Sequence, residues 1–197
     1  LKPLKKEELT YLSEEIVRVL VDTHAFYERT PHRLLDIFPK SLTTEEAEKV
    51  SFAYEELHLK HEYKHISFFK QLYNDNVGSP LIVEIDYQNI DAATHLNILE
   101  VLDRYEQFLW IEQLVKIDVS STTNFFEVTS FETLKMLLQV NTREAWFCNF
   151  HFLKLDLVIR GHYDLSMEMF FKHEEQIKHL QEKAQLYNLF IRHYPED

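Results

Sequence analysis

Apolar residues recur along most of this chain at three- and four-residue spacings, the period of an amphipathic helix, and they predict five helical stretches. The first runs from about Lys6 to Phe38, with Pro31 as a kink or break. The second opens after Leu42-Thr43-Thr44-Glu45-Glu46, where threonine followed by glutamates is an N-terminal helix signal, and continues to about Tyr73. Asn74 to Pro80 ends it, and residues 79–92 read as an extended crossing segment with Leu81 to Ile85 as its apolar part. A third helix is expected over about Ala92 to Ile117, followed by a polar stretch from Ser120 to Asn124. The fourth covers about Ser130 to Ile159. Gly161 interrupts, and the fifth runs from about Leu165 to Arg192. A short, then a long, then a moderate connection suits a four-helix bundle with a crossover between helices two and three. The expectation is therefore an all-α fold: a single domain over residues 1–197, with a bundle at about 9–160 and an appended fifth helix at about 165–192.

Composition supports that reading. The chain has 197 residues, 45% of them hydrophobic, with 15 Phe, 10 Tyr and 2 Trp. Only 2 glycines occur, where an average chain of this length carries about 14. So few turn formers leave little room for the tight turns of a β-rich fold. Twenty-one basic residues against 33 acidic ones leave a net charge of −12, which argues against a nucleic-acid partner. One cysteine, Cys148, excludes an internal disulfide framework and a cysteine-rich zinc module, and fits a reducing, cytoplasmic setting. No run of 18 apolar residues occurs, so no membrane-spanning helix is expected.

The polar residues that fall on apolar faces carry the chemistry. On the second helix Glu55, His58, Glu62 and His65 share an arc of roughly 80° at about 100° per residue. Phe52, Leu59, Ile66, Phe69 and Tyr73 flank it. His24 and Glu28 lie one turn apart on the apolar side of the first helix, and Glu106 lies among Leu99, Leu102, Leu109, Trp110 and Ile117. Glu144 and His151 share a face of the fourth helix, and His173 lies inward on the fifth. A buried carboxylate without a partner costs several kcal/mol. With Lys154 the nearest inward base, a bound cation is the available compensation. Carboxylates with a few imidazoles favour Fe, Mn or Zn over Mg or Ca.

The order Glu28, Glu62-Tyr63-Lys64-His65, Glu106 and Glu144 resembles the ferritin-like superfamily of di-iron carboxylate four-helix bundles. The stretch from His61 to Leu72 followed by Val77-Gly78-Ser79-Pro80 is similar to that family's second helix and crossover. The resemblance implies two Fe ions, or Mn and Fe, held by Glu28, Glu62, Glu106 and Glu144, with His65 and either His58 or His151 as nitrogen donors. Glu55/His58 is an alternative ligand frame to Glu62/His65, and His24 and Glu55 are candidates for supporting hydrogen bonds. An oxidoreductase activating dioxygen for a small organic substrate is the implied activity, with a homodimer as a possible assembly. A ferroxidase or iron-storage protein, and a metal-free helical interaction protein, are the alternatives. No phosphate-cradling glycine loop or nucleophile motif is present.

Overall fold

The computed structural model describes residues 1–4, 31–51, 54–117 and 123–193. It corrects the all-α, ferritin-like expectation. Among the described residues, six α-helices pack with an eight-stranded antiparallel sheet. The strands are β1 (Lys2–Pro3), β2 (His32–Asp36), β3 (Leu81–Glu84), β4 (Phe125–Glu127), β5 (Asn149–Phe152), β6 (Leu157–Gly161), β7 (Met167–Phe171) and β8 (Phe190–Arg192). The helices are α1 (Thr44–Ser51), α2 (Tyr54–Asp75), α3 (Ala92–Val101), α4 (Arg104–Lys116), α5 (Phe131–Thr142) and α6 (Glu175–Gln185). The strand order is β1-β4-β3-β5-β6-β7-β2-β8.

The expected helices fail where apolar runs are buried on both sides. The fourth helix ends at Thr142, and the chain continues as β5 and β6. The fifth divides into β7, α6 and β8, and the far end of the first is β2. Asn149-Phe-His-Phe and Met167-Glu-Met-Phe-Phe are almost wholly buried strands. Such strands read as continuous apolar runs, which imitate a helical period over short windows. The turns between them need no glycine. Glu144, Asp156, Asp164, Leu165 and Asn188 adopt positive φ, between 45° and 59°, each at a cost of roughly 1–2 kcal/mol.

The expected third helix is two, broken at Leu102. Asp91 caps α3 by accepting from the Thr94 N–H, and Asp103 caps α4. Its partner in that cap is Glu106, in a reciprocal capping box. Residues alternate between the faces of each strand, and the register puts Leu81, Val83, Phe150, Phe152, Leu157, Ile159, Met169 and Phe171 on one side. That side meets the helices: Phe69 of α2 sets its ring edge-on to Phe150 at 5.3 Å and Phe152 at 5.8 Å between centroids. α5 is buried around nearly its whole girth, with Leu134 and Met136 to Thr142 all inaccessible, and α2 and α4 lie against it. The opposite side of the sheet carries Ile82, His151, Val158, Phe170 and Leu34, also buried. Among the described residues, no helix is long and apolar enough to cross a membrane.

Candidate functional site

The polar interior is built around α2. His58, Glu62 and His65 are all buried, as their place in the apolar stripe requires, and what meets them is the end of α5. Glu62 Oε1 accepts from Arg143 Nε at 2.8 Å and from Thr142 Oγ1 at 2.9 Å, while Oε2 accepts from Arg143 Nη2 at 2.8 Å. Arg143 is the C-cap of α5, where a cation also meets the negative end of the helix dipole. Its remaining nitrogen, Nη1, donates to the Val101 carbonyl at the end of α3. One guanidinium therefore ties three helices together. Burial pushes the Glu62 carboxyl up, but the Arg143 hydrogen bonds and charge, with Thr142, outweigh burial and hold it below the ordinary carboxylate value.

His58 Nε2 lies 3.8 Å from Glu62 Oε1. Burial lowers its pKa, against the opposing pull of Glu62 and Glu144. His65 is fully enclosed, and burial drives its pKa down to about 4 despite the nearby carbonyls of His61 and Leu165. It is a neutral imidazole enclosed on every side.

Glu106, expected as a ligand, is buried and bound twice over. Its Oε2 accepts from the Asp103 N–H at 3.2 Å, and Oε1 accepts from Lys135 Nζ at 2.9 Å. Glu144 sits in the turn after α5, and its Oε1 accepts from the Asp164 N–H at 2.9 Å, joining that turn to the β6–β7 turn. His151 stands elsewhere, on the side of the sheet that faces away from α2. Its Nε2 is 3.6 Å from Glu84 Oε2, and Asn149 Nδ2 donates to the same oxygen at 2.8 Å. His173 is exposed in the turn before α6. His24 and Glu28, and the side chain of Glu55, lie outside the described residues.

The structure thus brings His58, Glu62, His65 and Glu144 into one neighbourhood and leaves His151 apart. Among the described residues, no group of three or more His, Cys, Asp or Glu is placed to hold a metal ion. The sheet corrects the helical-bundle reading, and the metal-binding, iron and di-iron reading finds no such group to rest on among these residues. The reason is electrostatic. Two of the acids that seem to call for a cation already have one: Arg143 on Glu62 and Lys135 on Glu106.

A second feature lies on the outside of α4. Its inner side buries Glu106, Trp110 and Gln113, with Trp110 against Tyr87 and near Phe126 through Tyr87. Its outer side exposes Tyr105 (62%), Phe108 (63%), Ile111 (43%) and Val115 (82%), which share an arc of about 120° at 100° per residue. A globular helix normally presents its charges outward; here two carboxamide or carboxylate side chains are inside and two aromatic rings outside. Sequence reasoning passed over this stripe, although the signal is there: apolar residues circle α4 on every side, so one face must lack a partner within the fold. Leu96 of α3 is exposed as well. No family model, no curated protein and no solved structure matches this chain.

Proposed function

We propose that this chain is a protein-interaction module whose contact surface is the outer face of α4, taking a partner that offers an apolar, weakly charged face of its own. The observation that carries the reading is the outward row Tyr105, Phe108, Ile111 and Val115. Contiguous exposed apolar side chains rimmed by polar ones mark contact sites, and aromatic residues are enriched at the centres of protein interfaces. Nucleic acid is a poor partner for a chain of net charge −12, and an anionic membrane surface repels it for the same reason. Oxygen activation at a di-metal centre draws no support from the interior, because Glu62 and Glu106 already hold Arg143 and Lys135. The proposal includes a cytoplasmic setting, supported by Cys148 being buried and unpaired.

The test is a photo-crosslinking phenylalanine analogue at position 108, introduced in the host cell. The expected result is a discrete adduct with a protein, abolished by Ile111→Asp on the same face and retained with Lys60→Glu on α2. No adduct, or one indifferent to Ile111→Asp, overturns the reading.

A further inference from the structure

We infer that the partner on this face is a second copy of the same chain, with α4 packed antiparallel against its counterpart about a two-fold axis near residues 109–111. The inference rests on the interaction reading above and names its occupant.

An isologous contact requires a surface that complements itself. The stripe on α4 does so only in one sense. Its aromatic members, Tyr105 and Phe108, occupy the N-terminal half, and its aliphatic members, Ile111 and Val115, the C-terminal half. Antiparallel pairing lays the rings of one copy on the branched aliphatic side chains of the other, and does so twice across the axis. Parallel pairing would set ring against ring and valine against valine, leaving gaps beside the smaller groups.

Charge favours the same occupant. Two chains of net charge −12 repel unless they meet where the acid excess is absent. The exposed charges of α4 are Arg104, Glu112 and Lys116, and Glu112 is bridged to Lys116 at 2.7 Å within the helix. With the exposed N-cap Asp103 the two acids and two bases balance, so this face is close to neutral on an acidic protein, and a copy can approach it with little repulsion.

The area fits a weak, reversible dimer. Taking a fully exposed aromatic side chain at 150–250 Å², the four side chains present about 450 Å² at their observed exposures. Two copies with a polar rim would bury about 1,000–1,200 Å², the low end of specific interfaces, for which a dissociation constant of about 1–100 µM is expected.

The test is sedimentation velocity of the full chain over about 1–500 µM, a range that spans such a constant. The expected weight-average mass rises from 23.8 kDa towards twice that value. Phe108→Glu and Val115→Glu each hold it at the monomer, weakening association by at least ~10-fold while leaving the thermal transition at low concentration unchanged. Ile111→Cys, next to the axis, should crosslink to its own copy under oxidation, whereas Val115→Cys should not. Native Cys148 is buried and does not compete. Crosslinking of both positions would overturn the antiparallel geometry. A mass of 23.8 kDa at every concentration overturns the second copy, and a heterologous adduct at position 108 would then leave the interaction reading standing. A monomer that sediments with phosphatidylcholine vesicles through Phe108 would overturn both.

Discussion

Replacing Glu62 by glutamine removes the charge that holds Arg143 while keeping the side chain's shape, and the structure sets the size of the effect. The carboxylate accepts three hydrogen bonds at 2.8–2.9 Å, and the two side chains are 10% and 23% exposed. Removing one partner of a buried pair costs about 3–5 kcal/mol, because the other charge stays buried and uncompensated. Arg143 keeps some contact with water and with the Val101 carbonyl, so the expected loss for Glu62→Gln is nearer about 2–3 kcal/mol. Arg143→Met strands the carboxylate with only Thr142 and the His58 imidazole beside it and should cost about 3 kcal/mol. The double variant Glu62→Leu with Arg143→Met replaces the pair by apolar groups and should recover to within about 1 kcal/mol of the parent, giving a coupling of about 2 kcal/mol or more. Urea unfolding at pH 7 reads all three, with a thermal shift of roughly 5–10 °C for each single change. Two single variants within about 0.5 kcal/mol of the parent would refute the reasoning. So would wild-type protein stabilised by Fe(II) or Mn(II) when Glu62→Gln is not, for then Glu62 would be a ligand rather than an anchor.

Three further outcomes follow from the same interior. Because the folded pKa of His65 is about 4, below the ordinary value, its contribution is complete above pH 6.5 and is lost as pH falls towards 4. That amounts to about 2 kcal/mol between pH 7.5 and pH 5. His65→Met should flatten the urea-midpoint profile over that window, and a variant profile parallel to the parent's would refute the assignment. Gly161→Ala should be severely destabilising, by about 2–3 kcal/mol, because the new Cβ would lie 1.9 Å from Asn141 Oδ1. Pairing it with Asn141→Ala should return part of that loss, read by thermal unfolding; no recovery would place the strain elsewhere. Asp103→Ala opens the capping box of α4 and should cost about 1 kcal/mol, with hydrogen exchange rising first at the amides of Glu106 and its neighbours. Uniform exchange along α4 would count against it.

The helical segments from Thr44 to Asp75 and from Ala92 to Lys116 follow patterns visible in the sequence, because α2 keeps a regular 3.6-residue apolar spacing up to a strong turn signal and α4 is apolar around its whole girth. The last third does not. There Phe150, Phe152, Leu157, Ile159 and Phe171 lie inside on one face of the sheet, and His151, Val158 and Phe170 lie inside on the other. Alternation is erased when both faces are buried. The scarcity of glycine compounds the error, since it argues against turns that Glu144, Asp164 and Leu165 in fact make at positive φ.

For the site, spacing on one helix shows that His58, Glu62 and His65 face inward, but it cannot show what they meet. Arg143 is 81 residues from Glu62 and lies just past the last turn of α5, where helical periodicity no longer tells its direction. Lys135 reaches Glu106 from 29 residues away. Asp103-Arg-Tyr-Glu106 was legible as a capping box, and that pattern alone gives Glu106 a structural role.

On the proposal made above, the outer face of α4 serves contact and not folding. Urea unfolding of the Phe108→Ser/Val115→Ser double variant at about 0.05 µM, well below the expected self-association range, separates the two roles. The expected stability is within about 0.5 kcal/mol of the parent, as for substitutions away from the core, with loss of association at high concentration. A cost above about 2 kcal/mol would make Phe108 and Val115 packing residues of the fold and contradict the claim.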